Sequence, residues 1–229
     1  MIVAVGKANT KSVALIHSTG AVDSSAWDAQ VGAILAGFEP GKADGEAFAA
    51  LLFGDVSPSG RLPITWASTT PLVTAQQYPG VDNVANYTEG LYVGYRWFRA
   101  NRPAAVLFPF GFGLTFTTFD LNAFTVQQAS NTLSFQFNVT NLGAVGAAAV
   151  PQVFVRFPAS LGEPDWQLVA FSRLWVAAQQ SEPVVLSVET REIKIWNTTT
   201  AQFETPPGTY CFVVGQHSFD IATPRCVQL

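Results

Sequence analysis

General acid–base chemistry in this chain would have to come from sixteen carboxylates and two histidines. Glu89 stands beside Gly90 in the most aromatic stretch of the sequence, where a carboxylate with a flexible neighbour could give or take a proton. The simpler role is structural, with Glu89 hydrogen-bonding backbone amides or Arg96 and so pinning the segment. Asp44 and Glu46 fall where a helix begins, and the helix dipole accounts for them. His17 ends a short apolar stretch, at the kind of sheet edge where open α/β folds place ligands. A packed or hydrogen-bonded imidazole is the favoured reading. His217 lies in a turn, Gly215-Gln216-His217-Ser218, and is expected to be solvated. With the histidines so placed and only two cysteines, neither a metal cluster nor a hydrolase triad can be drawn, and no cofactor is implied.

Covalent chemistry is limited to a few positions. Cys211 and Cys226 could close a loop of about 15 residues, worth roughly 3 kcal/mol in the chain-entropy view. The other reading is a buried thiol and a free tail thiol, and the sequence leaves both open. Asn86-Tyr87-Thr88, Asn138-Val139-Thr140 and Asn197-Thr198-Thr199 are acceptor sequons for N-glycosylation in an exported eukaryotic protein.

The elements that must position these groups change character along the chain. Residues 12–16 and 31–35 read as short apolar strands, the first buried on both faces in a parallel sheet. Between them, Asp23-Ser24-Ser25 suggests a short helix carrying Trp27, N-capped by Ser24 or Ser25. Residues 43–53 form a better helix, with Ala47, Phe48, Ala50 and Leu51 on one face and Gly54 closing it. Residues 1–5 alone would read as a strand. Further on, Leu133, Phe135, Phe137 and Val139 alternate with polar residues, as on a half-buried strand. Similar stretches recur at residues 150–157, 168–174, 183–188 and 210–214, separated by turn signals. That pattern describes a β-sandwich with Phe135, Phe137, Val153, Val155, Leu168, Leu186, Tyr210 and Phe212 in its core.

Residues 87–119 join the two patterns. The stretch is too aromatic for an ordinary loop and too rich in glycine and proline for a long helix, so it reads as a tether anchored by its rings. Glu89-Gly90 with Gly94-Tyr95-Arg96-Trp97-Phe98, then Phe108-Pro109-Phe110-Gly111-Phe112-Gly113-Leu114-Thr115, resembles the EG-x-x-x-GYR-x-F and PFG-x-GLSYT-x-F signatures of glycoside hydrolase family 3, which comprises β-glucosidases and β-xylosidases. Gly54-Asp55-Val56-Ser57-Pro58-Ser59-Gly60-Arg61-Leu62-Pro63 is similar to the family's GD-x-NPSG-K/R-LP run, and His17-Ser18 with Trp27 to its VVLHS…W segment. The order of these blocks holds through almost the whole chain.

The resemblance implies an α+β multidomain fragment: part of an αβα sandwich over residues 1–75, the tether over residues 76–119, and a fibronectin type III-like β-sandwich over residues 120–229. It also implies that residues 1–9 are the end of a helix. A retaining glycosidase needs two carboxyl groups about 5–5.5 Å apart. Carried over residue by residue, the nucleophilic Asp would fall on a (β/α)8 barrel and the acid/base Glu on a loop, both upstream of Met1. No catalytic residue is thus expected within the chain, and no substrate-binding residue can be assigned. The activity implied for the complete form is removal of terminal β-linked glucose from glucosides or cello-oligosaccharides. A β-xylosidase is the alternative within the family, and a noncatalytic carbohydrate-binding or adhesive module the alternative outside it.

Gly41-Lys42-Ala43-Asp44-Gly45 departs from the family's G-Q-x-G-G run, and Phe112 and Phe116 replace its usual His and Tyr. An adhesive module should expose aromatic platforms, whereas the rings here are expected mainly in the tether and the core. A net charge of −4 without basic runs argues against nucleic acid or an anionic membrane as partner. The resemblance implies an extracellular complete enzyme, although residues 1–5 lack the flanks of a signal peptide.

Overall fold

The computed structural model describes residues 1–68, 77 and 79–229, so the boundary expected at residues 75 and 76 lies outside the described residues. The chain divides into two compact units, one of residues 1–56 and 62–110 and the other of residues 57–61 and 111–229.

Helix α1 (Ile2–Ala8) opens the first unit. Its branched side chains favour a strand in isolation, so the helix implied by the family resemblance is the reading that holds. Strand β1 (Val13–His17) then pairs in parallel with β2 (Ala33–Phe38). The expected parallel pairing is found, but the expected burial on both faces is not: Val13 is 41% and Leu15 45% exposed. The second strand starts later than expected because a 3₁₀ turn over Asp28–Gln30 runs into Val31, its C-cap, and Gly32 donates its N–H to Ser12. Neither serine caps that turn by its side chain. Instead the Asp23 carboxylate accepts from the Ser25 N–H and hydroxyl, while Ser24 is buried.

Helix α2 (Asp44–Phe53) ends at Gly54, whose φ of 85° lies in the left-handed region that a glycine enters without strain. Phe48, Ala50 and Leu51 are half-buried, whereas Ala47 is exposed. Strand β3 (Trp66–Ala67) pairs with β4 (Val106–Phe108), and α3 (Tyr95–Asn101) lies between them in sequence. The tether therefore contains regular structure. Its rings pack locally, Tyr95 stacking on Phe110 at 4.6 Å and Trp97 meeting Phe98 edge-on at 5.3 Å.

The second unit is all-β. Strands β5 (Phe119–Ala129), β6 (Thr132–Asn141) and β11 (Ser181–Glu189) form a three-stranded antiparallel sheet in the order β11-β6-β5. Strands β8 (Gln152–Arg156), β9 (Gln167–Phe171), β14 (Thr209–Gly215) and β15 (Arg225–Gln228) form a four-stranded one in the order β15-β14-β8-β9. A three-plus-four division is that of an immunoglobulin-like sandwich. Strands β7 (Ala147–Ala149) and β10 (Leu174–Val176) pair at the side, and β12 (Ile195–Asn197) and β13 (Gln202–Glu204) make a separate hairpin. The single strand expected at residues 168–174 is thus two, because β9 pairs with β8 whereas β10 turns to β7.

Both sheets feed one core. Leu133, Phe135, Phe137 and Val139 from β6 meet Val153, Val155, Tyr210 and Phe212 from the other sheet, and the Phe135 and Phe212 rings lie 5.0 Å apart. Of the expected core residues, Leu186 only packs half-buried against this cluster, and Leu168 is half-buried and outside it. Leu168 pairs with Phe154, whose neighbours Val153 and Val155 face the core, so both belong to the opposite face of the sheet.

Tyr210 sits near the start of β14 and donates its hydroxyl to the Pro206 carbonyl at 2.8 Å, a local tie common at this corner of such sandwiches. Tyr210→Phe should leave the ring in place and cost about 1 kcal/mol. The check is a lower urea midpoint at unchanged m-value.

Candidate functional site

The strand-end histidine opens onto a cleft. His17, at the end of β1, stacks on Phe48 of α2 with ring centroids 5.2 Å apart, and its Nε2 lies 3.8 Å from Asp44 Oδ2. Both side chains are partly exposed. The open cleft they line holds about 630 Å³, and Leu15, Leu52 and Phe53 complete an apolar wall. Imidazole and carboxylate are close enough to attract each other when His17 is protonated, but the lining offers no second carboxylate and no serine or cysteine. The packed reading of His17 describes what is seen.

Glu89 borders a second cleft, of about 360 Å³, with Tyr87, Tyr92, Trp97 and Phe98. The expected hydrogen bonds are absent among the described residues: no contact ties the Glu89 carboxylate to Arg96 or to a backbone amide, and Arg96 Nε donates to the Val93 carbonyl at 3.4 Å. Glu89 contributes through its main chain instead, its carbonyl accepting the Tyr92 N–H at 3.0 Å. A lone carboxylate among rings can orient a ligand. It cannot by itself supply the ionised and protonated pair of a retaining glycosidase.

A third cluster joins the ends of the tether and the sandwich within the second unit. Gln152 is buried at the start of β8, and its Nε2 donates to the carbonyls of Gly111 at 3.1 Å and Gln216 at 2.8 Å. Gly111 has a φ of 82°, and a Cβ there would strike the Gln152 amide, so glycine is required for this close approach. Segment 57–61 joins the same region: Ser57 Oγ accepts the Phe116 N–H at 3.0 Å, and Arg173 donates to Ser59 Oγ at 3.1 Å. Sequence reasoning missed these ties, since nothing in a GD-x-x-PSG run announces partners 59 and 114 residues away.

His217 belongs to this cluster and is only partly solvated. Its ring is half-buried 5.8 Å from Phe112, and Nδ1 accepts the Phe219 N–H at 3.2 Å. Burial lowers its pKa from the usual 6.5, Asp220 opposes this, and Arg61 adds to it. The fold thus favours the neutral ring. Its contribution to stability is complete above the ordinary value near 6.5 and is lost as pH falls through the lowered folded value. Between about pH 7 and about pH 5, the thermal midpoint of the wild-type chain should fall further than that of His217→Asn, whose amide oxygen can keep the Phe219 bond. Equal declines would remove His217 from the explanation.

Cys211 and Cys226 occupy paired positions on β14 and β15 and are disulfide-bonded. Of the sequon asparagines, Asn86 is exposed, Asn138 lies half-buried on the central strand β6, and Asn197 is engaged at the β12–β13 turn. Among the described residues no group of three His, Cys, Asp or Glu side chains could hold a metal, and no helix is long and apolar enough to cross a membrane.

Residues 1–116 match the Glycosyl hydrolase family 3 C-terminal domain, and residues 149–218 match the Fibronectin type III-like domain. A β-glucosidase of Rhizobium radiobacter is 32% identical, the alignment covering 100% of this chain and 29% of the relative. An exo-α-(1→6)-L-arabinopyranosidase of Bifidobacterium breve is 30% identical over 98% of this chain and 30% of its own length. Among solved structures, a β-glucosidase from Streptomyces venezuelae in complex with D-glucose superposes with a TM-score of 0.91 at 31% identity, covering 100% of this chain and 30% of that one. The chain therefore spans a little under a third of the length of these relatives.

Proposed function

We propose, starting from the fact that the chain belongs to glycoside hydrolase family 3, that it is the C-terminal part of a β-glucosidase. The complete protein would remove terminal non-reducing β-D-glucosyl residues with retention, by double displacement between two carboxylates. One observation carries this reading: relatives named β-glucosidases align with the chain from end to end, through both units in order. The third cluster supports a bracing role for this part. Gln152, Gly111 and segment 57–61 brace the signature loops against a rigid sandwich, so that the loops hold a fixed shape for a catalytic domain upstream.

Glucose is favoured over xylose because β-glucosidases recur among the relatives. An arabinopyranosidase of similar identity indicates that this part of the chain is compatible with more than one sugar. Polysaccharide breakdown outside the cell, by a secreted glycoprotein, fits the disulfide, since such bonds persist in oxidising compartments. The test joins this segment to the reading frame upstream of Met1 and follows an aryl β-glucoside and cellobiose by proton NMR. β-Glucose should appear first from both. An α-anomer as first product, or hydrolysis confined to xylosides, overturns the reading.

A further inference from the structure

The β12–β13 hairpin presents large rings to solvent. Trp196 and Phe203 are directly paired across it, 52% and 63% exposed, with centroids 5.1 Å apart in an edge-on arrangement. These two rings lie outside both the tether and the core, where most of the rings were expected. Exposed rings can be incidental, but the frame beneath these two is braced by side-chain hydrogen bonds. On the opposite face of the hairpin, Asn197 Oδ1 accepts the Thr199 N–H at 2.9 Å and its Nδ2 donates to Glu204 Oε2 at 2.9 Å, while Thr200 donates its hydroxyl to the other Glu204 oxygen. Those bonds lower the Glu204 pKa, which keeps the network charged and intact in mild acid.

We propose that Trp196 and Phe203 form a carbohydrate-stacking site that holds the apolar face of a pyranose ring in a β-linked glucan chain. The chemistry is that of a neutral ligand with one apolar face and a polar edge. An aromatic face receives the sugar's axial C–H groups, and exposed Lys194 and Thr198, which flank β12 immediately before and after it, offer donors to the hydroxyl rim. Size favours a sugar over a protein partner. Two rings cover one or two sugar units, far less than the roughly 800 Å² per partner of a stable protein interface. Rigidity matters too, because a preorganised pair loses little freedom on binding.

Binding is the readout, so the outcome does not depend on hydrolysis. The full chain and its Trp196→Ala, Phe203→Ala and Trp175→Ala variants are compared by depletion onto insoluble cellulose and by retardation in gels containing soluble mixed-linkage β-glucan. Trp175 serves as the control, being an exposed tryptophan outside the hairpin. Loss of one stacked ring should weaken retention about tenfold in the two hairpin variants at unchanged melting temperature, with Trp175→Ala retained as wild type. Should Trp196→Ala fail to fold, Trp196→Tyr keeps an aromatic face and should bind. Equal losses in all three variants would mean nonspecific adsorption, and a dimer abolished by Trp196→Ala would mean that a second copy occupies the rings. Either result, or wild-type retention by the hairpin variants, overturns the proposal while leaving the β-glucosidase reading untouched; an inactive full-length enzyme would do the reverse.

Discussion

Purified chain 1–229 is expected to leave 4-nitrophenyl β-glucoside unhydrolysed, at a rate at least about 10⁶-fold below that of a complete enzyme, the lower end of enzymic accelerations. The barrier to glycoside hydrolysis falls when one carboxylate attacks the anomeric carbon as another protonates the leaving oxygen, and each fails without its partner. Among the described residues the two clefts divide their carboxylates: Asp44 stands with His17 and Glu89 stands among rings. Neither lining brings an acid and a nucleophile together. A Glu89→Gln variant measured alongside should be indistinguishable from wild type. Steady release of nitrophenolate that this substitution abolishes would sink the prediction.

Legibility in the sequence followed the regularity of the local pattern. Strand β6 could be read because Leu133, Phe135, Phe137 and Val139 keep the period of two without interruption, and all four are buried. Strand β5 could not, because its pattern slips by one residue. Phe119 and Leu121 face inward, then Ala123 adopts a φ of 56° at a bulge, and the inward series resumes at Phe124 and Val126. An inserted residue of this kind erases the alternation on which the reading depends.

The hairpin of β12 and β13 was missed for a different reason. Its strands are three residues each, too short to show a period, and side-chain bonds around Asn197 and Glu204 brace its turn. Helix α2 was legible through its apolar face and Gly54. Position β1 was half legible: its apolar run announced a strand, but exposure of Val13 and Leu15 depends on what lies next to it in space. At the clusters, Gln152 illustrates the general difficulty. One buried amide joins Gly111 to Gln216 across 41 and 64 positions, and no local rule relates residues so far apart.

The second large effect concerns folding of the separated units. Residues 111–229 should unfold in one cooperative transition, and residues 1–110 should not. The contiguous buried core lies wholly within the sandwich, from Phe119 to Val214, and closes between two sheets without help. In the first unit, α2 has no fully buried residue, Phe53 is 85% exposed, and among the described residues β1 with β2 makes a sheet of two strands. A lone two-stranded sheet is marginal in water, and an exposed apolar strand face invites association. The starting residue matters as well. A piece beginning at Asp120 loses Phe119 from the core, the Thr117–Asn141 hydrogen bond, and the Gly111–Gln152 tie, so it should melt several degrees below the piece beginning at Gly111. Within the longer piece, Phe135→Ala removes a ring packed against Phe124 and Phe212 and should cost about 3–5 kcal/mol, enough to consume much of the stability of a small domain. Circular dichroism melts and amide hydrogen exchange decide the matter. Slow-exchanging amides and a sharp transition in residues 1–110, with neither in residues 111–229, would reverse the assignment of which unit carries the stability.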